Sequence, residues 1–147
     1  TLFYTVGGAN NVALGSNAVQ NNTSGSYNVG VGSSALFSNT TATFNTAVGY
    51  NALTGNTTGA SNNSFGAAAL GANTTGSNNA AFGHQALNQN TTASNNTAVG
   101  YQAGYSNTTG ASNTTNGNQA GYAITTGANN SCLVLVQGME LLLGVQT

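Results

Sequence analysis

The sequence predicts an all-β chain: a parallel β-solenoid (β-roll) of about eight stacked 17-residue coils. Three observations carry that prediction. Gly15, Gly32, Gly49, Gly66, Gly83, Gly100 and Gly117 recur at a constant step of seventeen, and Ala18, Ala35, Ala52, Ala69, Ala86, Ala103 and Ala120 keep it too. So do Asn11, Asn28, Asn45, Asn62, Asn79, Asn96, Asn113 and Asn130, with no insertion or deletion along the run. Within each unit, β-branched residues alternate with Gly/Asn turn chemistry, and no helical period appears. Strict phase of this kind marks one short unit stacked on copies of itself. The abundance of Asn, Ser, Thr and Gly also suits a disordered linker, but a linker tolerates insertions and this chain has none.

The register divides the chain into a partial repeat at 1–10, seven repeats over 11–129 and a degenerate apolar eighth coil at 130–147. Counting from Asn11 as position 1, the leading Asn column is expected to form an amide ladder from coil to coil. Positions 2–4 read as a short strand. Position 4 is large and apolar for six repeats (Leu14, Val31, Val48, Phe65, Phe82, Val99), and position 3 is small (Ala13, Gly30, Ala47, Ser64, Ala81, Ala98). Strand side chains alternate faces, so these two sets face opposite ways. The large set is assigned to the coil interior and the small set to a face closely approached by another chain. The Gly at position 5 suits a corner needing positive φ or close backbone approach.

The Ala at position 8, followed by Val19, Leu36, Leu53, Leu70 or Leu87, reads as a second short strand. A thin coil leaves room there for nothing larger than Ala. The segment Asn56-Thr57-Thr58-Gly59 and its equivalents supply the return turn, with Gly in the left-handed conformation. Eight coils rising about 4.8 Å each give a rod of roughly 40 Å with a meagre core, which association of identical chains would supplement.

Composition narrows the function. The chain has no Lys, Arg or Asp, one Glu (Glu140), one His (His84) and one Cys (Cys132). Affinity for nucleic acid comes largely from cations on phosphates, so nucleic acid is not expected as a partner. Docking on anionic membranes is disfavoured for the same reason. No acid–base pair or nucleophile set exists within the repeats, so no enzyme activity, catalytic residue, cofactor or metal is expected. His84 stands where other repeats carry Ser16, Ser33, Tyr50, Ala67, Tyr101 and Asn118, and reads as surface variation with no ligand set around it.

Other columns offer candidate contacts. Tyr50, Tyr101, Tyr105 and Tyr122, with Tyr27 and Phe44 at a turn, suit sugar or protein binding, though packing over turns accounts for them more simply. Asn22, Asn39, Asn56, Asn73, Asn90 and Asn107 each open an Asn-x-Ser/Thr triplet and are candidate glycan acceptors if they form an exposed ridge; turn chemistry alone is the simpler account. The column Thr23, Thr40, Thr57, Thr74, Thr91, Thr108 and Thr125 raises ice binding, weakened because the adjacent Thr residues of a turn point different ways.

From Ser131 the pattern fails: Val134 replaces the recurring Gly and Gln137 the recurring Ala. The apolar run is too short for a membrane span and Glu140 interrupts it, so no membrane insertion is expected. It reads as a cap, an interface to a next fibre segment or a frame-shifted sequence, in any genuine case buried against other copies. Cys132 falls at a small-residue position and is expected simply to pack there. The chain starts in mid-repeat without Met, and reads as processed or as a piece of a longer chain.

The stretches Asn45-Thr46-Ala47-Val48-Gly49-Tyr50-Asn51-Ala52 and Asn96-Thr97-Ala98-Val99-Gly100-Tyr101-Gln102-Ala103 resemble the head repeats of YadA-type trimeric autotransporter adhesins and the repeats of bacteriophage tail fibres. The resemblance covers about 11–130, and the repeats here are longer in the Asn-Thr-Thr-Gly turn. It implies a left-handed, trimeric β-roll, extracellular on a cell surface or virion, serving attachment to a receptor or glycan. A homopolymeric filament and a monomeric ice- or glycan-binding solenoid are the competing expectations.

Overall fold

The computed structural model describes residues 8–134. It is a parallel β-solenoid with one three-residue strand per coil: β1 (Val12–Leu14), β2 (Val29–Val31), β3 (Thr46–Val48), β4 (Asn63–Phe65), β5 (Ala80–Phe82), β6 (Thr97–Val99), β7 (Thr114–Asn116) and β8 (Ser131–Leu133). The strands form one sheet in sequence order, each parallel to the next. Pairing keeps the seventeen-residue register throughout: Val12 faces Val29, Thr46 faces Asn63 and Thr114 faces Ser131. Thus Ser131 to Leu133, where the repeat motif decays, still extends the sheet. The remainder of the apolar tail lies outside the described residues.

The two strand faces are the reverse of the sequence expectation. Position 3 is interior: Ala47, Ser64, Ala81 and Ala98 are buried. Position 4 is exterior, with Leu14 61% and Phe82 41% exposed. The reason is the width of the coil. The side chain that faces position 3 from across the interior is the one at position 9, so that a methyl placed on Gly30 would stand 2.6 Å from Val19 Cγ2. Leu36, Leu53, Leu70 and Leu87 already fill that space, and only Ala, Gly or Ser fits opposite them. Toward the C-terminal end the sizes trade places. Gly104 and Gly121 occupy position 9, and Thr115 and Cys132 occupy position 3. A methyl on Gly104 would meet Thr115 Oγ1 at 3.3 Å.

The recurring Gly at position 5 satisfies both expected reasons for it. Gly49 has φ +136°, and a Cβ there would stand 2.7 Å from the carbonyl carbon of Gly66 on the next coil. Two other local expectations are corrected. Ala18–Val19 and its equivalents form no second strand, because residues 16–21 are turn and Val19, Leu36, Leu53, Leu70 and Leu87 take left-handed φ of 50–54°. These turns still bond from coil to coil, as where Leu53 N–H donates to Ala69 O at 3.0 Å. The return-turn glycines (Gly25, Gly59, Gly76, Gly110) are not left-handed. Position 17 is, at Tyr27, Phe44, Ser61 and Asn78 among others.

Two asparagine columns close the coil. The leading column braces the backbone: Asn28 N–H donates to Asn11 Oδ1 at 2.9 Å, and the pattern repeats up to Asn130 N–H on Asn113 Oδ1. The column is thus a ladder from coil to coil, with amide-to-amide bonds at Asn79–Asn62 and Asn130–Asn113, and a second ladder made of side-chain amides throughout runs at position 12. Asn39, Asn56, Asn73, Asn90 and Asn107 each donate Nδ2 to the Oδ1 of the preceding rung at 2.8–3.1 Å. Both columns also clasp the same carbonyl. Gly59 O accepts from Asn45 Nδ2 and from Asn56 Nδ2, each at 2.9 Å. The position-12 ladder stops where Ile124 replaces Asn, and this leaves Asn107 Oδ1 buried without a donor.

Candidate functional site

No cavity exists among the described residues, and no three His, Cys, Asp or Glu side chains gather. Among the described residues no helix is long and apolar enough to cross a membrane. What the molecule offers to a partner is surface that repeats from coil to coil.

One such surface is the outer face of the sheet. Pairing puts Leu14, Val31, Val48, Phe65, Phe82 and Val99 in one line, one per coil, beside the parallel line Val12, Val29, Thr46, Asn63, Ala80 and Thr97. Phe65 and Phe82 stack with ring centroids 5.1 Å apart. The line ends polar, at Asn116, and resumes with Leu133, 67% exposed. The outer face of the sheet is therefore the large apolar one, and the small residues assigned to an outer face from sequence are core.

Aromatic residues of other columns also stack between successive coils. Tyr27 lies on Phe44, His84 on Tyr101 and Tyr105 on Tyr122, with centroids 5.1–5.6 Å apart and rings within 9° of parallel. The ring faces within each pair are turned to one another. His84 is exposed at the rim, as the sequence placed it. Tyr50, in the same column and 61% exposed, belongs to none of these stacks.

The candidate glycan acceptors are corrected by burial. Asn22, Asn39, Asn56, Asn73, Asn90 and Asn107 are at most 2% exposed, and their amides form the interior ladder. A glycan cannot be attached to them in the folded coil, since the amide nitrogen that would carry it is already bonded inside. The Thr column at position 13 is likewise occupied: Thr57 Oγ1 donates to Thr74 O at 3.0 Å, and its equivalents repeat the bond. The neighbouring hydroxyls at position 14 (Thr41, Thr58, Thr75, Thr92, Thr109) are exposed.

Sequence reading missed a second amide column at position 7. Gln119 Nε2 donates to Gln102 Oε1 at 3.0 Å, and Gln102 Nε2 to Gln85 Oε1 at 2.8 Å. The signal was present, since three glutamines stand one repeat apart. The chain matches no family model, no curated protein and no solved structure.

Proposed function

We propose that this chain is a structural segment of an extracellular fibre, an adhesin head or tail-fibre shaft, that assembles with identical chains and serves attachment. The observation that supports this reading is the line of outward Leu, Val and Phe side chains on the sheet face of a rod without Lys, Arg or Asp. Soluble monomers rarely keep so long a contiguous apolar strip in water, and a strip that repeats at the coil spacing is matched best by another copy of itself. A net charge of only −1 does little to oppose the approach of copies. Three chains, each turning its sheet face inward, would cover the strip while leaving the turn columns outside for contact with a surface. The activity is mechanical: the amide and backbone ladders running along the axis make the rod stiff, and the turns are displayed at regular intervals. No catalytic step, cofactor or metal enters.

Light scattering on the purified chain with electron microscopy of the same sample tests it. A discrete species of three chains seen as a short rod is the expected result. Filaments of indefinite mass would replace the closed trimer with end-to-end polymerisation. A stable monomer would overturn both and favour a lone ice- or glycan-binding solenoid.

A further inference from the structure

The geometry points to a binding notch for a neutral pyranose ring at the corner of the fourth coil, between Tyr50 and His84. Position 6 carries Tyr50, Ala67, His84 and Tyr101 on four successive coils. Their backbones are locked in line: Ala68 N–H donates to Tyr50 O at 2.8 Å, Gln85 N–H to Ala67 O at 2.9 Å and Gln102 N–H to His84 O at 3.0 Å. His84 and Tyr101, one coil apart, stack at 5.6 Å. Ala67 is thus a missing rung in an aromatic column. At about 4.8 Å per coil, the flanking positions stand about 10 Å apart, which is the space of one ring layer in a ladder of this spacing.

Position 7 is vacant at the same place. Ala68 interrupts the amide column, so Gln85, whose Oε1 already accepts from Gln102, has no protein acceptor for its own Nε2 among the described residues. Asn51 stands on the other side of Ala68. Asn88 Nδ2 donates to Ala68 O at 2.7 Å and pins the floor. At position 4 of the same coil the rung is filled, by Phe65 stacked on Phe82, so the gap is local to the corner. The notch therefore has an aromatic residue on each side of Ala67, with the His84 ring already stacked along the ladder, amide groups beside them and no charged side chain nearby. A pyranose carries the matching pattern: apolar C–H faces and a rim of neutral hydroxyls. Charged ligands find no counter-ion here, because the chain has no Lys, Arg or Asp. The notch belongs to a single chain and does not rest on the fibre reading.

Amide and methyl NMR spectra of the full chain, titrated with the methyl glycosides of glucose, galactose, mannose and N-acetylglucosamine and separately with indole, test the inference. At least one glycoside is expected to shift the signals of Ala67, Ala68, Tyr50 and His84 saturably. Ala67→Tyr restores the missing rung with a residue that this column already holds, and is expected to keep the fold and abolish the shifts. Tyr50→Ala and His84→Ala are expected to weaken binding roughly fivefold to tenfold each. The inference is overturned if no glycoside shifts these signals, if Ala67→Tyr leaves binding intact, or if indole alone binds.

Discussion

The left-handed leucines carry both the core and a backbone cost at the same residue. Leu36, Leu53, Leu70 and Leu87 are fully buried, yet each holds φ near 50°. That region costs an L-residue about 1–2 kcal/mol. Burial of a leucine side chain returns about 1.5–3 kcal/mol, so packing outweighs strain. Where the chain gives up the side chain, at Gly104 and Gly121, it takes the residue that pays no such cost. This predicts an unusual pair of variants. Leu53→Ala should lose on the order of 3 kcal/mol in denaturant unfolding through the cavity it leaves. Leu53→Gly should lie within about 1 kcal/mol of Leu53→Ala, because relief of the left-handed strain offsets the lost methyl and the added chain entropy. A glycine variant much the weaker of the two would show that the strain is not felt at this position.

At the scale of the element, the coil is closed by amides more than by apolar packing. Asn56 donates Nδ2 to Asn39 Oδ1 and to Gly59 O, and its own Oδ1 accepts from Asn73 Nδ2. Asn56→Asp keeps the shape and the acceptor but removes both donors, and it buries a carboxylate with no cation in reach. Burial raises the folded-state pKa of such a group above its unfolded value of about 3.9. The variant should therefore be closest to the parent in acid, where the acid form can still donate, and should lose stability as pH rises from about 4 toward 7. Thermal unfolding across that range checks it, and a flat difference from the parent would refute it. The same columns show what was legible in the sequence. The repeat step, the parallel strands and the Gly corner all follow from spacing. Which face of the strand is inside does not, because alternation separates Ala47 from Val48 without saying which one meets Leu36. That depends on the width left by position 9 across the coil. Whether the turn Asn column forms an exposed ridge was open for a similar reason: Asn favours turns on the surface and amide ladders inside, and only the closed coil distinguishes the two. Of the aromatic corner, the sequence showed an exposed and variable position 6, while the alignment of its rungs needed the backbone ladder.

At the scale of the whole molecule, nearly uncharged polar turns stand beside an apolar sheet face. With no Lys or Arg, the chain can form no ion pair of the ordinary kind, so ionic strength should have little hold on its fold. The assembly proposed above then rests on the sheet face. Replacing Val48, Phe65, Phe82 and Val99 together by Thr tests this directly. Thr keeps the β-branched preference for strand and already occupies the neighbouring line at Thr46, Thr97 and Thr114, while Asn116 shows that a polar residue at position 4 leaves the strand intact. The interior is untouched, so the circular dichroism spectrum should be unchanged. The four substitutions remove on the order of 5 kcal/mol of burial per chain from any assembly that covers this face. That corresponds to several thousandfold in the association constant. Light scattering should then report the mass of one chain at concentrations where the parent is associated. Persistence of the parent's mass would mean that the copies meet through the turns or the coil ends, and that the apolar line is held open for some other partner.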